Sequence, residues 1–496
     1  MKTIRVFCTA LAKARRTVLV LFALLLSVAC RAQGAPPGSS VIHVDSRLVV
    51  LDVVVTGKDG KPVPGLVKSD FQVLEDGQPQ RIRSVEYTTS PDDPASRSRT
   101  IFVLDALNNS IEEKNFAKSE IEQYIATLPE ILLQPAMLVV VDDDGFRVLI
   151  ANTRDRDGIQ RALHKEPARI PSAFLRHDYE ARFRITLNAL WQIASANQKS
   201  PGRIELIWVG HGFPSMNLTT SDSATAAEMQ STVQSISNAL LNARTVVYKI
   251  DPAAVGAAQM TASVDNFDAT FDDSVAPFAD SISFDTLVQQ TGGRSFFNRN
   301  DIDAEVHNAV TLGGTFYTIA YTPLSTSTED AAYRHIRVTV DRPNLHATTR
   351  LGYFAGVAAT ATQPDPDKLV DAAILNQLQY TALHISFAGF TRDPTGTTLC
   401  ELQIEPTDLA SNSQLEGVAK VQLLVGAAAY SAAHKPLNYS RHAVLLDSST
   451  ASSPAGKISF EVPIHIPADA QSLRFIVLDK ASGKIGSLDV ASIPQL

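Results

Sequence analysis

Thr100-Ile101-Phe102-Val103-Leu104-Asp105-Ala106-Leu107-Asn108-Asn109-Ser110 is the stretch whose reading decides the fold. Its apolar run from Ile101 to Leu104 specifies a buried strand, and the acidic, amide-rich residues that follow specify a loop leading into a helix. In an open α/β sheet, ligands gather outside the carboxyl ends of the strands, where loops carry polar groups over an apolar scaffold. Asp105, Asn108, Asn109 and Ser110 are therefore either part of a ligand-binding edge or a turn and helix cap, because Asn, Asp and Ser readily satisfy free backbone N–H groups.

Downstream the chain keeps alternating strands with helices, the signature of a sheet covered on both faces. Ala117, Ile121, Tyr124, Ile125 and Leu128 share one helical face that stops at Pro129. Ala136 to Val141 and Phe146 to Ile150 flank Asp142-Asp143-Asp144-Gly145, which predicts an antiparallel hairpin at a sheet edge with a solvated turn. Phe183, Leu187, Leu190, Trp191 and Ala194 mark a longer helix, and Arg203 to Val209 a central strand ending in Gly210-His211-Gly212. Asp251 to Asp280 lacks periodicity and is dotted with Asp265, Asp268, Asp272 and Asp273; loops that long tend to be functional or mobile. Asp301 is expected to cap a last helix.

On either side of this α/β pattern lie β-rich segments. Arg47 to Thr56, Phe71 to Glu75 and Arg81 to Tyr87 read as strands, the last two flanking the tight-turn dipeptide Asp76-Gly77. Gly314 to Thr322, Tyr333 to Val340 and Ala347 to Tyr353 restore the same periodicity. About three strands cannot close a core alone, so residues 41–90 and 313–355 are expected to pair as one β-sandwich with residues 97–312 inserted between them. An Ala/Thr/Pro-rich linker, 356–367, then leads to residues 368–496, whose alternation predicts an immunoglobulin-like β-sandwich.

Composition narrows the function. The 496 residues carry a formal charge of -8 with no basic run beyond the extreme N-terminus, which argues against a nucleic-acid partner. Residues 1–32 read as a signal peptide: Lys2, Arg5, Lys13, Arg15 and Arg16 precede an apolar run from Val18 to Leu26. Cleavage after Ala32 gives a secreted, periplasmic or outer-envelope protein, whereas lipidation of Cys30 would anchor it to a membrane. Of the three cysteines only Cys400 is certain to remain, as a small apolar residue beside Leu402 and Ile404; no disulfide framework or cysteine metal site is available.

The chain resembles the bacterial, acidobacterial family of von Willebrand factor type A (VWFA)-related domain proteins. Leu51-Asp-Val-Val-Val-Thr, Pro64-Gly65-Leu66, Asp70-Phe71-Gln72-Val73-Leu74-Glu75-Asp76-Gly77 and Phe102-Val103-Leu104-Asp105-Ala106-Leu107-Asn108 carry the resemblance. Thr291-Gly292-Gly293-Arg294, Tyr317-Thr318-Ile319-Ala320-Tyr321-Thr322-Pro323 and Leu351-Gly352-Tyr353-Phe354 extend it in the same order. It implies a doubly wound type A fold for 97–312, usually built for protein binding. Type A domains also place a metal-ion-dependent adhesion site on Asp-x-Ser-x-Ser and a second, distant Asp. Here Asp105 matches the first Asp, Leu107 and Asn109 stand at the serine positions, and His211 stands near the second Asp. Mg²⁺ needs near-octahedral oxygen ligation and Leu107 offers none, so the adhesion site is read as degenerate and no cofactor is expected. A variant cation site on Asp105, Asn108 and Ser110 is the minority alternative.

The expectation is an exported, non-enzymatic, adhesion-type protein that binds a protein or peptide through Asp105, Asn108, Asn109, Ser110 and His211. The alternatives are a structural envelope component without a discrete ligand, and a hydrolase using Asp105 and His211 as base and orienter.

Overall fold

The computed structural model describes residues 48–88, 98–167, 172, 177–198, 202–252, 276–296, 306, 310, 314–323, 332–355, 365–376, 378–392, 397–409, 412–415, 418–447 and 457–491. The expected signal peptide, Cys30, the acidic residues Asp265, Asp268, Asp272 and Asp273, the expected Asp301 cap and residues 356–364 of the expected linker lie outside these.

In chain order the first strands are β1 (Val49–Thr56), β2 (Phe71–Glu75), β3 (Gln78–Pro79) and β4 (Arg81–Thr88). The α/β region follows with β5 (Arg99–Asp105), α1 (Ile111–Thr127), β6 (Ile131–Asp142), β7 (Gly145–Asp155), α2 (Arg156–Lys165), α3 (Tyr179–Ala196) and β8 (Ile204–Val209). It continues through β9 (Met216–Asn217), α4 (Ser223–Asn242), β10 (Thr245–Ile250), β11 (Ser281–Ile282), α5 (Phe284–Gln290) and β12 (Ser295–Phe296). Four further strands are β13 (Phe316–Thr322), β14 (Tyr333–Val340), β15 (His346–Thr348) and β16 (Gly352–Phe354). The last region holds α6 (Pro366–Leu375), β17 (Ile385–Arg392), β18 (Thr398–Ile404), β19 (Asn412–Leu415), β20 (Val418–Tyr430), β21 (Pro436–Asp447), β22 (Ile458–Ile464), β23 (Ser472–Asp479) and β24 (Ile485–Val490).

The central sheet runs β12-β10-β8-β5-β6-β7, with β7 antiparallel at one edge and the other pairings parallel. Read from the β7 edge and counted along the chain, that is third, second, first, fourth, fifth, sixth, the order of a doubly wound sheet, and it places the switch point between β5 and β8. The strands are apolar on both faces because helices cover both. Ile101, Val103, Leu206 and Trp208 pack with Leu187, Leu190, Val233 and Leu287 of α3, α4 and α5. Phe102, Leu104, Ile207 and Val209 pack on the opposite face with Ile121 and Ile125 of α1 and Ile159 and Leu163 of α2.

Two four-stranded sheets, β15-β1-β13-β4 and β16-β14-β2-β3, draw strands from both sides of the α/β region. β13 lies hydrogen-bonded between β1 and β4, with Leu51 opposite Ile319 and Val85 opposite the same residue. β2 pairs with β14, Val73 facing Val338. A shared core of Leu51, Val53, Phe71, Val73, Tyr317, Ile319 and Val338 fills the space between the sheets. The Asp76-Gly77 turn has both residues at positive φ, 49° and 74°, but it joins β2 only to the two-residue β3. The chain then crosses to the other sheet, where β4 pairs with β13, so Phe71–Glu75 and Arg81–Tyr87 are not partners in one hairpin.

The C-terminal region has two antiparallel sheets, β17-β18-β22 and β20-β23-β24 with β19 and β21 both on β20. Cys400, Leu402, Ile404, Val425, Ala427, Phe460 and Phe475 form the core between them. Burial pushes the Cys400 thiol up to about 11, so it is an inert apolar residue. Helix α6, whose start overlaps the expected linker, was not signalled by strand alternation. It covers the outer face of β20 and β23, and Val370, Ile374, Ala428 and Ile476 join the core that includes α3.

Candidate functional site

At the carboxyl end of β5, Asp105 is 0% exposed. Its Oδ1 accepts from the backbone N–H groups of Leu107 (3.2 Å) and Asn108 (2.9 Å). Its Oδ2 accepts from Trp208 Nε1 (3.0 Å) and the Gly212 N–H (2.9 Å), and Asn108 Nδ2 lies 3.2 Å from both oxygens. Burial pushes this carboxyl's pKa up, and the converging donors oppose that shift. Both oxygens act only as acceptors, so the group fits as a carboxylate whose lone-pair positions the protein already fills.

That arrangement does not fit a cation. Leu107 is a core residue, 2% exposed. Asn108 turns its amide N–H groups toward Asp105 and Thr186 Oγ1 (3.1 Å). Ser110 Oγ accepts from the Glu113 N–H (3.2 Å) while Glu113 Oε2 accepts from the Ser110 N–H (2.8 Å), a capping box that starts α1. Of the residues in the variant metal site, Asn108 has a buried Oδ1 with no hydrogen-bond partner, but both Asp105 oxygens would have to release donors before they could join it as ligands. Among the described residues no cluster of three His, Cys, Asp or Glu side chains has metal-binding geometry. The Asp142-Asp143-Asp144 turn likewise serves the chain itself: Asp142 is 1% exposed rather than solvated, and Arg147 Nη2 sits 2.7 Å from its Oδ2.

Across the switch point, the loop after β8 is shaped by two glycines. Gly210, at φ 148°, presses so closely on β5 that a Cβ would lie 2.3 Å from Asp105 Cβ. Gly212, at φ 72°, has the Phe284 ring where a Cβ would fall, at 2.2 Å. Between them His211 donates its backbone N–H to Asn109 Oδ1 (3.1 Å). Its ring bridges two carboxylates: Nδ1 is 3.2 Å from Asp251, just beyond β10, and Nε2 is 3.1 Å from Glu113 on α1. Asp251, helped by Glu113 and opposed by desolvation, raises His211 to about 9, so the ring is an imidazolium donating from both nitrogens at neutral pH. Lys249 Nζ extends the network to Asp251 (3.5 Å) and Asp285 (3.2 Å).

The structure thus brings Asp105, Asn108, Asn109, Ser110 and His211 to one edge and gives them different duties. Asp105 and Asn108 fasten the β5 turn, Ser110 caps α1, and His211 is the partly exposed charged group. Glu113 and Asp251 escaped notice in the sequence. Ser110-x-x-Glu113 is a legible capping box, but nothing in the sequence pairs His211 with residues 98 and 40 positions away. The Asp105 carboxylate does not reach the imidazole, so the dyad expected for a hydrolase is not formed.

No family model and no curated protein matches the chain. Among solved structures, the VWA domain of SpRpn10 is 16% identical over 32% of this chain and 75% of its own, with a TM-score of 0.19. The pilus adhesin SpaC from Lactobacillus rhamnosus GG is 10% identical over 88% of this chain and 61% of its own, with a TM-score of 0.26. The human COPII-coat protein Sec24c is 10% identical over 58% and 47%, with a TM-score of 0.25. Scores this low decide nothing about function, and the doubly wound assignment rests on strand order.

Proposed function

We propose that this chain is an exported, non-enzymatic binding protein in which a von Willebrand A-like domain, carried on the two-part sandwich and backed by an immunoglobulin-like domain, engages a protein or peptide ligand at the edge around His211. The observation that carries the reading is the position of His211. A partly exposed imidazolium, its side chain 34% accessible, stands at the switch point of a doubly wound sheet, where ligands of such sheets bind. Its flanking carboxylates, Glu113 and Asp251, give that edge alternating charge suited to the polar groups of a peptide. Both ring nitrogens are committed to carboxylates, and among the described residues no hydroxyl or thiol is bonded to the ring, which favours recognition over nucleophilic chemistry.

The test is affinity capture from envelope extracts with the intact chain, followed by His211→Gln. Removing the charged hydrogen bonds should weaken retention of a specific partner by about tenfold or more while the circular dichroism spectrum is unchanged. Equal retention by the variant would remove His211 from the interface. Failure of the wild-type chain to retain any partner would favour the structural-component reading.

A further inference from the structure

At the opposite end of the sheet, the chain crosses between the sandwich and the α/β region twice, arriving at Ser98 and leaving before Phe316. Both crossings meet a buried polar cluster around the start of β8. The Arg99 N–H donates to the Arg203 carbonyl (3.1 Å) and the Arg203 guanidinium lies 5.1 Å from the centre of the Phe316 ring. Ser98, Arg203 and Glu205 are 1%, 1% and 0% exposed. Arg203, the residue before β8, and Glu205, the second residue of β8, are two apart in sequence and make no ion-pair contact with each other. Glu205 Oε2 has one long contact, to Thr100 Oγ1 at 3.5 Å, while Oε1, Ser98 Oγ and Arg203 Nε and Nη1 have no hydrogen-bond partner among the described residues. Arg203 Nη2 donates to Tyr248 OH (3.2 Å).

A fully buried carboxylate with one long hydrogen bond is a costly species, and the usual escape is to keep its proton. The groups facing it are Arg203 just before β8, Thr100 on β5, Tyr248 on β10 and Tyr124 on α1, with Arg294 acting on Tyr248. Arg203 and the Thr100 hydroxyl favour the anion, and burial opposes it. We propose that Glu205 is an internal proton-binding site at the double crossing between sandwich and α/β region, its carboxyl neutral at physiological pH and its state sensed by Arg203 and, through the guanidinium, by Phe316. Burial, opposed by Arg203, places the transition at about 8. While the proton is held, the guanidinium interacts with the Phe316 ring as a cation. Its loss creates a buried anion that competes for the same guanidinium, so packing at the outgoing crossing follows the proton.

The sign of one comparison separates this from an ordinary ion pair. A carboxyl whose pKa is raised by folding contributes stability below its unfolded value of about 4.3 and loses it progressively as pH rises to its folded value. Glu205→Gln copies the neutral acid, so the variant should melt above the wild type at about pH 7, with a gap that widens from about pH 4.3 to about pH 8 and is constant beyond. A variant that melts below the wild type at about pH 7, or does not fold, would mean that Glu205 is ionised and paired with Arg203, and would overturn the proposal. Infrared spectroscopy of the wild type provides an independent reading. A carboxylic-acid carbonyl band should disappear near pH 8, and Thr100→Val should shift that band alone; no such band would equally overturn it.

Discussion

At Asp105 every acceptor position faces a donor from the chain itself, and at His211 every ring donor faces an acceptor. The first arrangement is sealed, with Asp105 0% exposed, and holds the β5 and β8 loops together through Trp208 and Gly212. The second is partly open to solvent and titrates. Folding raises the His211 pKa from an unfolded value of about 6.5 to about 9. Its ion pairs therefore contribute fully below about pH 6.5, and that stability is lost as pH rises through about 9. Discounting for solvent screening of a one-third exposed ring leaves about 1–2 kcal/mol. The expected result is a wild-type stability that falls by that amount across this window relative to His211→Gln, measured by urea unfolding. An unchanged difference would mean that the Glu113 and Asp251 contacts are not maintained in solution.

Among the elements, β20 shows most clearly how tertiary context decides a strand's character. Val425, Ala427 and Ala429 enter the sandwich core, while Leu424, Ala428 and Tyr430 face α6 and the α/β region. Gly426 sits between α6 and the sheet, where a Cβ would come within 2.5 Å of Val370 Cγ1. Gly426→Val should cost about 1–3 kcal/mol by overpacking and increase hydrogen exchange in α6 more than in β18; equal exchange in both would contradict close packing of α6. This element also marks the limit of the sequence. β5, β8 and β10 were legible because a run of apolar residues ending in polar loop residues has few other uses, and the Ser110 cap because its signal is local. α6 was not: its Pro366 start and short length are local features, but its role depends on a strand face more than fifty residues later. The crossing from β3 to β4 was hidden for a similar reason. The turn chemistry at Asp76-Gly77 is clear in sequence, while the partner of β4 is β13, on the far side of the α/β region.

In the whole molecule, the interleaved sandwich anchors the α/β region at both crossings, and side-chain locks add to the tethers. Arg244, in the turn between α4 and β10, pairs with Asp52 of β1 at 2.5 Å. Asn238 of α4 binds the backbone of Phe354 through both ends of its amide, at 2.8 and 3.0 Å. On another side Asn376 Nδ2 donates to Gln192 of α3 at 2.6 Å. These contacts fasten α3, α4 and the turn after α4 to their neighbours, while the His211 side chain stays 34% exposed. The most direct test is a footprint by site-specific photocrosslinking in intact cells. A photoreactive side chain is placed at Glu112 or Ser215, exposed positions beside the edge, and at Glu86, exposed on the sandwich. The account predicts a discrete protein adduct from Glu112 and Ser215 and none from Glu86. The same adducts from all three positions, or none from the two edge positions, would contradict it.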